Sequence, residues 1–365
     1  MKKLEMIFTA VNEDKPGSKW LSRWNLSWPS YRVWFTSTSK NNISRRQSEA
    51  MLSYYMPELM VTYRRMLDLA GGGDLEACFL TQWSPPAYLS GCSIAAVTND
   101  SAMRLVRNYD LAPQLNEGLL MRSYWRNTSV MGMVEFLWGL SDGINAHGLC
   151  AALAYGGNQR TALGFGIALI IRYILETCKT TAEAVTQLGR IPSHMAYNVV
   201  VMDNHGVSAS IEMKAGGGIR QVWPSIATNH QASPQIVDRY GLTKTFDRRS
   251  FLQTLVAEQT DPVKLADVFL KSPLFQSNYS EGFGTLFTAE YDPSALLQTI
   301  HWHYAKWRNS LTSFSERSIR INFNNARGQQ CDLFEGLIGR VRTSCWRDHV
   351  PKQFRHFLYM DGASQ

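Results

Sequence analysis

The pattern of apolar and polar positions changes character along the chain. From Ser44 to Leu69, Met51, Tyr54, Tyr55, Leu59, Met60, Tyr63, Met66 and Leu67 recur at helical spacing, and Gly71-Gly72-Gly73 closes the stretch. After a second break at Ser84-Pro85-Pro86 the texture turns to strand. Ser93–Thr98 and Met103–Tyr109 are apolar runs joined by Asn99-Asp100-Ser101, which predicts a hairpin. Val130–Leu137 and Leu149–Tyr155 read as further strands. Phe165–Cys178 reads as a helix with the core stripe Ile167, Ile170, Ile171, Ile174 and Leu175. Thr180 or Thr181 caps a second helix that ends near Gly189. Tyr197–Met202 and Val207–Met213, joined across Asp203-Asn204-His205-Gly206, give another hairpin. Residues 245–271 read as helical, and Thr285–Glu290 and Leu296–Trp302 as late strands. Strands, two helices, then strands again point to an α+β layered sandwich and away from a βαβ parallel fold.

Composition narrows the class. With 11 Trp, 15 Tyr and 16 Phe in 365 residues, the chain carries too much buriable surface to be disordered. The longest uncharged apolar run, Ala162 to Ile171, falls short of the roughly 20 residues of a membrane span. The opening Met1-Lys2-Lys3, followed by Glu5, makes a poor secretory signal. A soluble, cytoplasmic protein with no membrane partner is expected. The net charge is +7, but its 37 Lys and Arg are scattered among 30 Asp and Glu. No basic stripe forms, so nucleic acid is not an expected partner.

The cysteines Cys78, Cys92, Cys150, Cys178, Cys331 and Cys345 contain no C-x-x-C pair, so neither a redox motif nor a zinc ribbon is written here. His301 and His303 share a strand face without a third ligand, and Cys331, Cys345, His349 and His356 lack zinc-finger spacing. Gly216-Gly217-Gly218 precedes neither a helix start nor Lys-Ser/Thr, so it is no phosphate cradle. No metal and no cofactor are expected.

Cys92 stands apart. Gly91 precedes it, a hairpin begins at it, and Arg107-Asn108-Tyr109-Asp110 lies on the return strand, which a sheet brings to about 4.8 Å. A guanidinium beside a thiol favours the thiolate, and a carboxylate there suits an ammonium group. No histidine is near in sequence, yet a cysteine nucleophile needs a base. An α-amino group, with a pKa of about 7.7–8.0, fits that role. Cys92 has one only if the Gly91–Cys92 bond is cut, and glycine tolerates the strained backbone that such an attack needs. Two rivals stay open at this point: a Cys–His hydrolase with His194 or His230 as base and no chain cleavage, and an inactive binding scaffold.

Gly91-Cys92-Ser93, Arg107-Asn108-Tyr109-Asp110 and Asp142-Gly143-Ile144-Asn145-Ala146-His147-Gly148-Leu149 resemble the choloylglycine hydrolase and penicillin acylase group of N-terminal-nucleophile enzymes. Within that group the chain is most similar to the acyl-coenzyme A:6-aminopenicillanic acid acyltransferase family. Met195-Ala196-Tyr197-Asn198, Ala227-Thr228-Asn229-His230-Gln231 and Gly282-Phe283-Gly284-Thr285-Leu286-Phe287-Thr288 follow in the family's order, covering roughly Ser44 to Trp307.

The resemblance implies a four-layer αββα sandwich, made as a precursor that cuts itself at Gly91/Cys92. Residues 1–91 would form an N-terminal helical segment that stays associated, residues 92–314 the catalytic domain, and residues 315–365 a basic extension. Cys92 would be nucleophile and, through its freed amine, base; Asp110 would bond that amine and Arg107 would flank the thiol. Asn229 and the backbone N–H of Tyr155 would form the oxyanion hole. Arg248 resembles a later active-site arginine, with Arg249 an adjacent candidate. Ala146-His147 departs from the family's usual Glu after the Asn, at a structural turn. The implied substrate is a small acyl-amide or an acyl-coenzyme A thioester.

Overall fold

A computed structural model of the chain describes residues 4–38, 43–88, 90–232, 240–323 and 331–334. The N-terminal part runs β1 (Glu5–Glu13), α1 (Ser18–Thr38), α2 (Arg45–Tyr55), α3 (Met60–Leu69) and α4 (Asp74–Thr81). Ser44 and Gln47 close a reciprocal capping box at the start of α2. Pro57 separates α2 from α3, so the single helical period read over Ser44–Leu69 is two helices.

The hairpin β2 (Gly91–Thr98) and β3 (Met103–Leu111) follows, then β4 (Leu119–Ser123), β5 (Val130–Glu135), β6 (Gly139–Asn145) and β7 (Cys150–Tyr155). Next come α5 (Ile167–Thr177) and α6 (Thr181–Arg190), the latter capped by the Thr180 side chain. Strands β8 (Tyr197–Met202), β9 (Ser208–Met213), β10 (Ile219–Val222) and β11 (Ile226–Ala227) lead to α7 (Tyr240–Thr243), α8 (Thr245–Ala257) and α9 (Leu265–Phe269). The chain continues through β12 (Ser277–Asn278), β13 (Phe283–Asp292), β14 (Leu297–Trp302), β15 (Ala305–Ser310), β16 (Arg317–Asn322) and β17 (Cys331–Phe334).

These strands form two sheets. The larger runs β10-β9-β8-β7-β6-β5-β4-β1-β16-β17, and the smaller β11-β2-β3-β13-β14-β15, with β12 pairing β13. The period-two alternation of β2 sorts its residues between two cores. Cys92, Ile94 and Ala96 enter the core between the sheets, with Tyr109, Met131, Ile144 and Val200. Ala95 and Val97 face outward against Leu252 of α8 and Leu265 and Phe269 of α9. On the far side of the larger sheet, Trp20, Tyr63, Ile170 and Leu188 from the helices pack on Val130, Leu153 and Val199. Helix, sheet, sheet, helix is the αββα sandwich that the resemblance implies.

Both ends of the chain depart from the expected division. β1 lies inside the larger sheet, parallel to β4 and antiparallel to β16. Residues 1–91 are therefore not a helical segment alone, because Met6, Phe8 and Ala10 alternate into the inter-sheet core. The sandwich also runs past residue 314, since Ile319 and Ile321 of β16 join the same core. Cys345, His349 and His356 lie outside the described residues. Among the described residues, no helix is long and apolar enough to cross a membrane.

Candidate active site

The β2–β3 register sets the site. Cys92 lies opposite Tyr109, and Ile94 opposite Arg107, so these four share the inner face. Gly91 and Ser93 lie opposite Asp110 and Asn108 on the outer face. Arg107 and Asp110 therefore flank Cys92 from different sides of the sheet.

Cys92 is fully buried. Among the described residues its sulfur has two hydrogen-bonding neighbours, Arg107 Nη2 at 3.2 Å and Ser90 Oγ at 3.8 Å. Arg107 is held in turn by Asp142, which accepts from its Nη1. Asp142 also accepts from Ser141 Oγ at 2.9 Å and from the Tyr291 hydroxyl. The Arg107 guanidinium sits 4.3 Å over the Tyr109 ring, whose hydroxyl donates to Glu135. Burial draws the Arg107 pKa down, but Cys92 and Asp142 together carry it above its ordinary value. The expectation of a depressed thiol pKa is overturned in the uncut chain. Burial raises Cys92 and outweighs the pull of Arg107 in the other direction.

On the outer face, Arg248 of α8 enters fully buried. Its Nη1 donates to the Cys92 carbonyl at 2.7 Å and to Ser93 Oγ at 2.9 Å, and pairs with Asp110 at 3.4 Å. Its Nη2 reaches Asn229 Oδ1 at 2.7 Å. Of the two adjacent arginines, Arg248 is the one brought to Cys92. Asp110 also accepts from Thr285 Oγ1 at 2.7 Å. Burial raises its carboxyl pKa, against the opposing pull of Arg248 and Thr285.

Four partners fix the Asn229 amide. Its Oδ1 accepts from the Cys92 N–H at 3.0 Å and from Arg248, both obligate donors. Its Nδ2 donates to the carbonyls of Ser90 and Tyr155, each at 3.3 Å. The group on the Cys92 nitrogen in the uncut chain is thus Asn229, where the resemblance puts Asp110. Tyr155 meets the site through its carbonyl.

Gly91 is explained by contact and not by strain. It lies in regular strand, and a Cβ there would fall 2.2 Å from the Phe283 ring and 2.9 Å from Asp110 Cβ. Asn145 serves the fold, bonding the backbone of Leu175 and Cys178 at the end of α5 and the turn at His147 and Leu149. Neither histidine of the rival reading hydrogen-bonds Cys92. His194 Nδ1 faces the Phe165 carbonyl, and His230 Nδ1 lies 2.8 Å from Thr245 Oγ1. His301 pairs with Glu290 at 2.6 Å. Asp142 and Thr285 belong to sequence blocks that already stood out, yet their contacts became visible only with the partner strands in place.

The profile of the family described as acyl-coenzyme A:6-aminopenicillanic acid acyl-transferase matches residues 97–307, more than half of the chain, starting just past Cys92. Penicillin V acylase from Agrobacterium tumefaciens is similar at 14% identity and a TM-score of 0.40, covering 62% of this chain and 90% of that one. The N-acylethanolamine-hydrolyzing acid amidase ortholog of Caenorhabditis elegans is 18% identical at a TM-score of 0.40, covering 56% and 93%. A mutant conjugated bile acid hydrolase from Clostridium perfringens is 12% identical at 0.37, covering 69% and 99%. No curated protein matches the chain in sequence. On the profile match, the chain belongs to the acyl-coenzyme A:6-aminopenicillanic acid acyl-transferase family.

Proposed function

We propose that the chain is a self-processing acyl-transfer enzyme with Cys92 as nucleophile, acting on a linear amide or a thioester donor. The observation that carries this reading is the pairing of two contacts at one residue. Arg107 lies 3.2 Å from the Cys92 sulfur, and Asn229 Oδ1 accepts from the Cys92 nitrogen, the atom that cleavage would free.

In the first stage, Cys92 Sγ adds to the Gly91 carbonyl carbon. The Gly91–Cys92 C–N bond breaks, and the thiol proton passes to the departing nitrogen. Water then hydrolyses the Gly91 thioester, its oxygen entering the new carboxylate and a proton returning to sulfur. Cleavage gives Cys92 the nearby base that the uncut site lacks, since burial holds its thiol protonated.

In the second stage, the substrate carbonyl acylates Sγ while the Cys92 amine relays the thiol proton to the leaving amine or thiolate. Water or an acceptor amine then takes the acyl group from sulfur. Asn229 Nδ2, with the backbone N–H of Tyr155, would meet the oxyanion. Loss of one such donor lowers the rate by about 10²–10³.

Intact-mass measurement on purified protein should give two fragments that meet at Gly91/Cys92. Cys92→Ala should leave one chain without activity. A full-length wild-type protein that hydrolyses amides would sink the mechanism.

A further inference from the structure

Behind Cys92, the inter-sheet core holds a row of hydroxyl and amide groups that the acyl-transfer steps do not use. Tyr291 of β13 lies opposite Gln298 of β14, and Gln298 opposite Asn309 of β15. All three are buried. Asn309 Nδ2 meets Gln298 Oε1 at 3.5 Å, and Gln298 Nε2 donates to the Tyr291 hydroxyl oxygen at 2.8 Å. With that oxygen accepting an N–H, the Tyr291 proton is given to Asp142 Oδ1 across the gap between the sheets. Burial raises the Tyr291 pKa, so the hydroxyl stays a donor.

Asp142 is aimed at this row by its own strand. β5 and β6 pair Met133 with Asp142 and Val134 with Leu140, so Ser141 is the extra residue of a β-bulge. Met133 and Ile144 sit in the inter-sheet core, whereas Val134 and Leu140 pack with the outer helices. The strand changes face at the bulge, and Asp142 is the first side chain past it to enter the inter-sheet core. There its Oδ2 accepts from Arg107 Nη1 while its Oδ1 accepts from Tyr291. A guanidinium is a rigid plane, so the oxygen that fixes Nη1 also fixes where Nη2 stands. Nη2 is the atom 3.2 Å from the Cys92 sulfur. Ala289, directly opposite Arg107 on β13, offers no polar side chain as a second anchor.

Building on the reading of Cys92 as a self-cleaving nucleophile, we infer that Tyr291 is a positioning residue for it. Seated on Gln298, Tyr291 locks the Asp142 carboxylate, and the locked carboxylate sets Arg107 Nη2 against the sulfur in self-cleavage and acyl transfer alike. It acts through Arg107. The other charged and titratable groups around this thiol are Tyr109 and Asp110 of β3, Arg248 of α8, and Glu135 of β5 behind Tyr109.

The test compares cut wild-type and Tyr291→Phe enzyme by the pH dependence of iodoacetamide alkylation, read at Cys92 by peptide mass. The substitution keeps the ring and frees Asp142 Oδ1. Arg107 then holds the thiolate less firmly, and deprotonation needs a higher pH. The alkylation midpoint should rise by about one pH unit, the order of one charge-assisted hydrogen bond. Burial raises Glu135 to about 7, but its step is common to both proteins and cancels in the comparison. Self-cleavage of chain made by cell-free synthesis should show the same upward shift. A second variant separates this from a loss of stability. Tyr291→Phe strands the buried Gln298 amide, which by itself lowers the urea midpoint. Adding Gln298→Leu removes that amide, and Asn309 Nδ2 keeps the Trp307 carbonyl at 3.2 Å. The double variant should regain the urea midpoint and keep the shifted pH profiles. If Tyr291→Phe alone does not fold, the double variant decides. Alkylation and cleavage at the wild-type pH overturn the inference and leave the mechanism standing. So does a folded variant that stays uncut at every pH. A wild-type chain that is neither cut nor active overturns the underlying reading, and the role of Tyr291 with it.

Discussion

Arg248 grips Cys92 by its main chain, donating from Nη1 to the Cys92 carbonyl oxygen across 2.7 Å. The same guanidinium holds Asn229 Oδ1 and pairs with Asp110, so one buried cation joins nucleophile, amide and carboxylate. Removing it would leave Asp110 buried without its partner, a loss on the order of 3–5 kcal/mol. Arg248→Ala is therefore expected to shift the urea midpoint sharply down and to abolish self-cleavage. Arg249→Ala, which touches none of these atoms, should do neither. Equal midpoints for the two variants would refute the assignment.

The position before the nucleophile should accept no side chain. A Cβ on Gly91 would overlap the Phe283 ring at 2.2 Å, and overpacking of this kind destabilises by about 1–3 kcal/mol. Gly91→Ala should slow the appearance of the two fragments. Adding Phe283→Ala should restore part of the rate by opening the space. The check is a double-mutant cycle on the cleavage rate, and strictly additive effects would show that the two positions are not coupled.

Much of this arrangement is legible in the sequence, and the gaps have physical causes. The two hairpins and helices α5 and α6 follow from period and capping alone, with Thr180 capping as the pattern predicts. Helix α1 is missing from the sequence reading, whose first helix begins at Ser44. Trp20, Trp24 and Trp28 stack one turn apart, but residues of middling helix propensity and an internal Pro29 mask the signal. Strand β6 is absent from the sequence reading because Gly139 and Gly143 weaken its strand pattern. They are there because Cβ atoms would strike Ala168 and Leu175 of the covering helix. The sharing of Arg107 with Cys92 follows from strand alternation. The placing of Arg248 over Arg249 depends on how α8 docks, which no local pattern encodes.

Acidity should loosen or tighten the inter-sheet core through Glu135. Burial lifts this carboxyl from its ordinary 4.5 to about 7, against the Tyr109 hydrogen bond and Arg107. The folded chain then binds the proton more tightly than the unfolded one. Its stabilising contribution is complete below about pH 4.5 and is lost as pH rises through about 7. Across that window the loss is about 3 kcal/mol. Glu135→Gln imitates the protonated form, so relative to wild type it should gain stability between pH 5 and pH 8. Urea unfolding at the two pH values measures this, and a difference that stays constant with pH would contradict it.

Asn229 should be sensitive to chemistry as well as to size. Its Nδ2 faces two carbonyls and its Oδ1 faces two donors, so Asn229→Asp turns an oxygen onto Ser90 and Tyr155 while keeping the volume. Asn229→Ala should lower kcat of cut enzyme by about 10²–10³, and Asn229→Asp by at least as much. Single-turnover acylation of Cys92 reports the effect. A variant that acylates at the wild-type rate would remove Asn229 from the oxyanion role.

Cleavage at Gly91/Cys92 should not release the N-terminal fragment. β1 pairs with β4 on one side and β16 on the other, and Phe8 inserts between the sheets with its ring 5.0 Å from Trp302 and 6.0 Å from Phe287. α1 adds a second tie, through Trp28 and Tyr31 packed on Phe79 and Tyr31 and Trp34 on Phe136. Phe136 lies beyond the cut, so this aromatic stack bridges the two fragments. Burying side chains of this size contributes about 1.5–3 kcal/mol each, and pulling β1 out would also strand its ladder partners. The two pieces should elute together on gel filtration under native conditions and separate only in denaturant. Phe8→Asp should weaken this hold, because it places an unpaired charge in the inter-sheet core. Fragments that part without denaturant would show that the strand contacts do not hold the enzyme together.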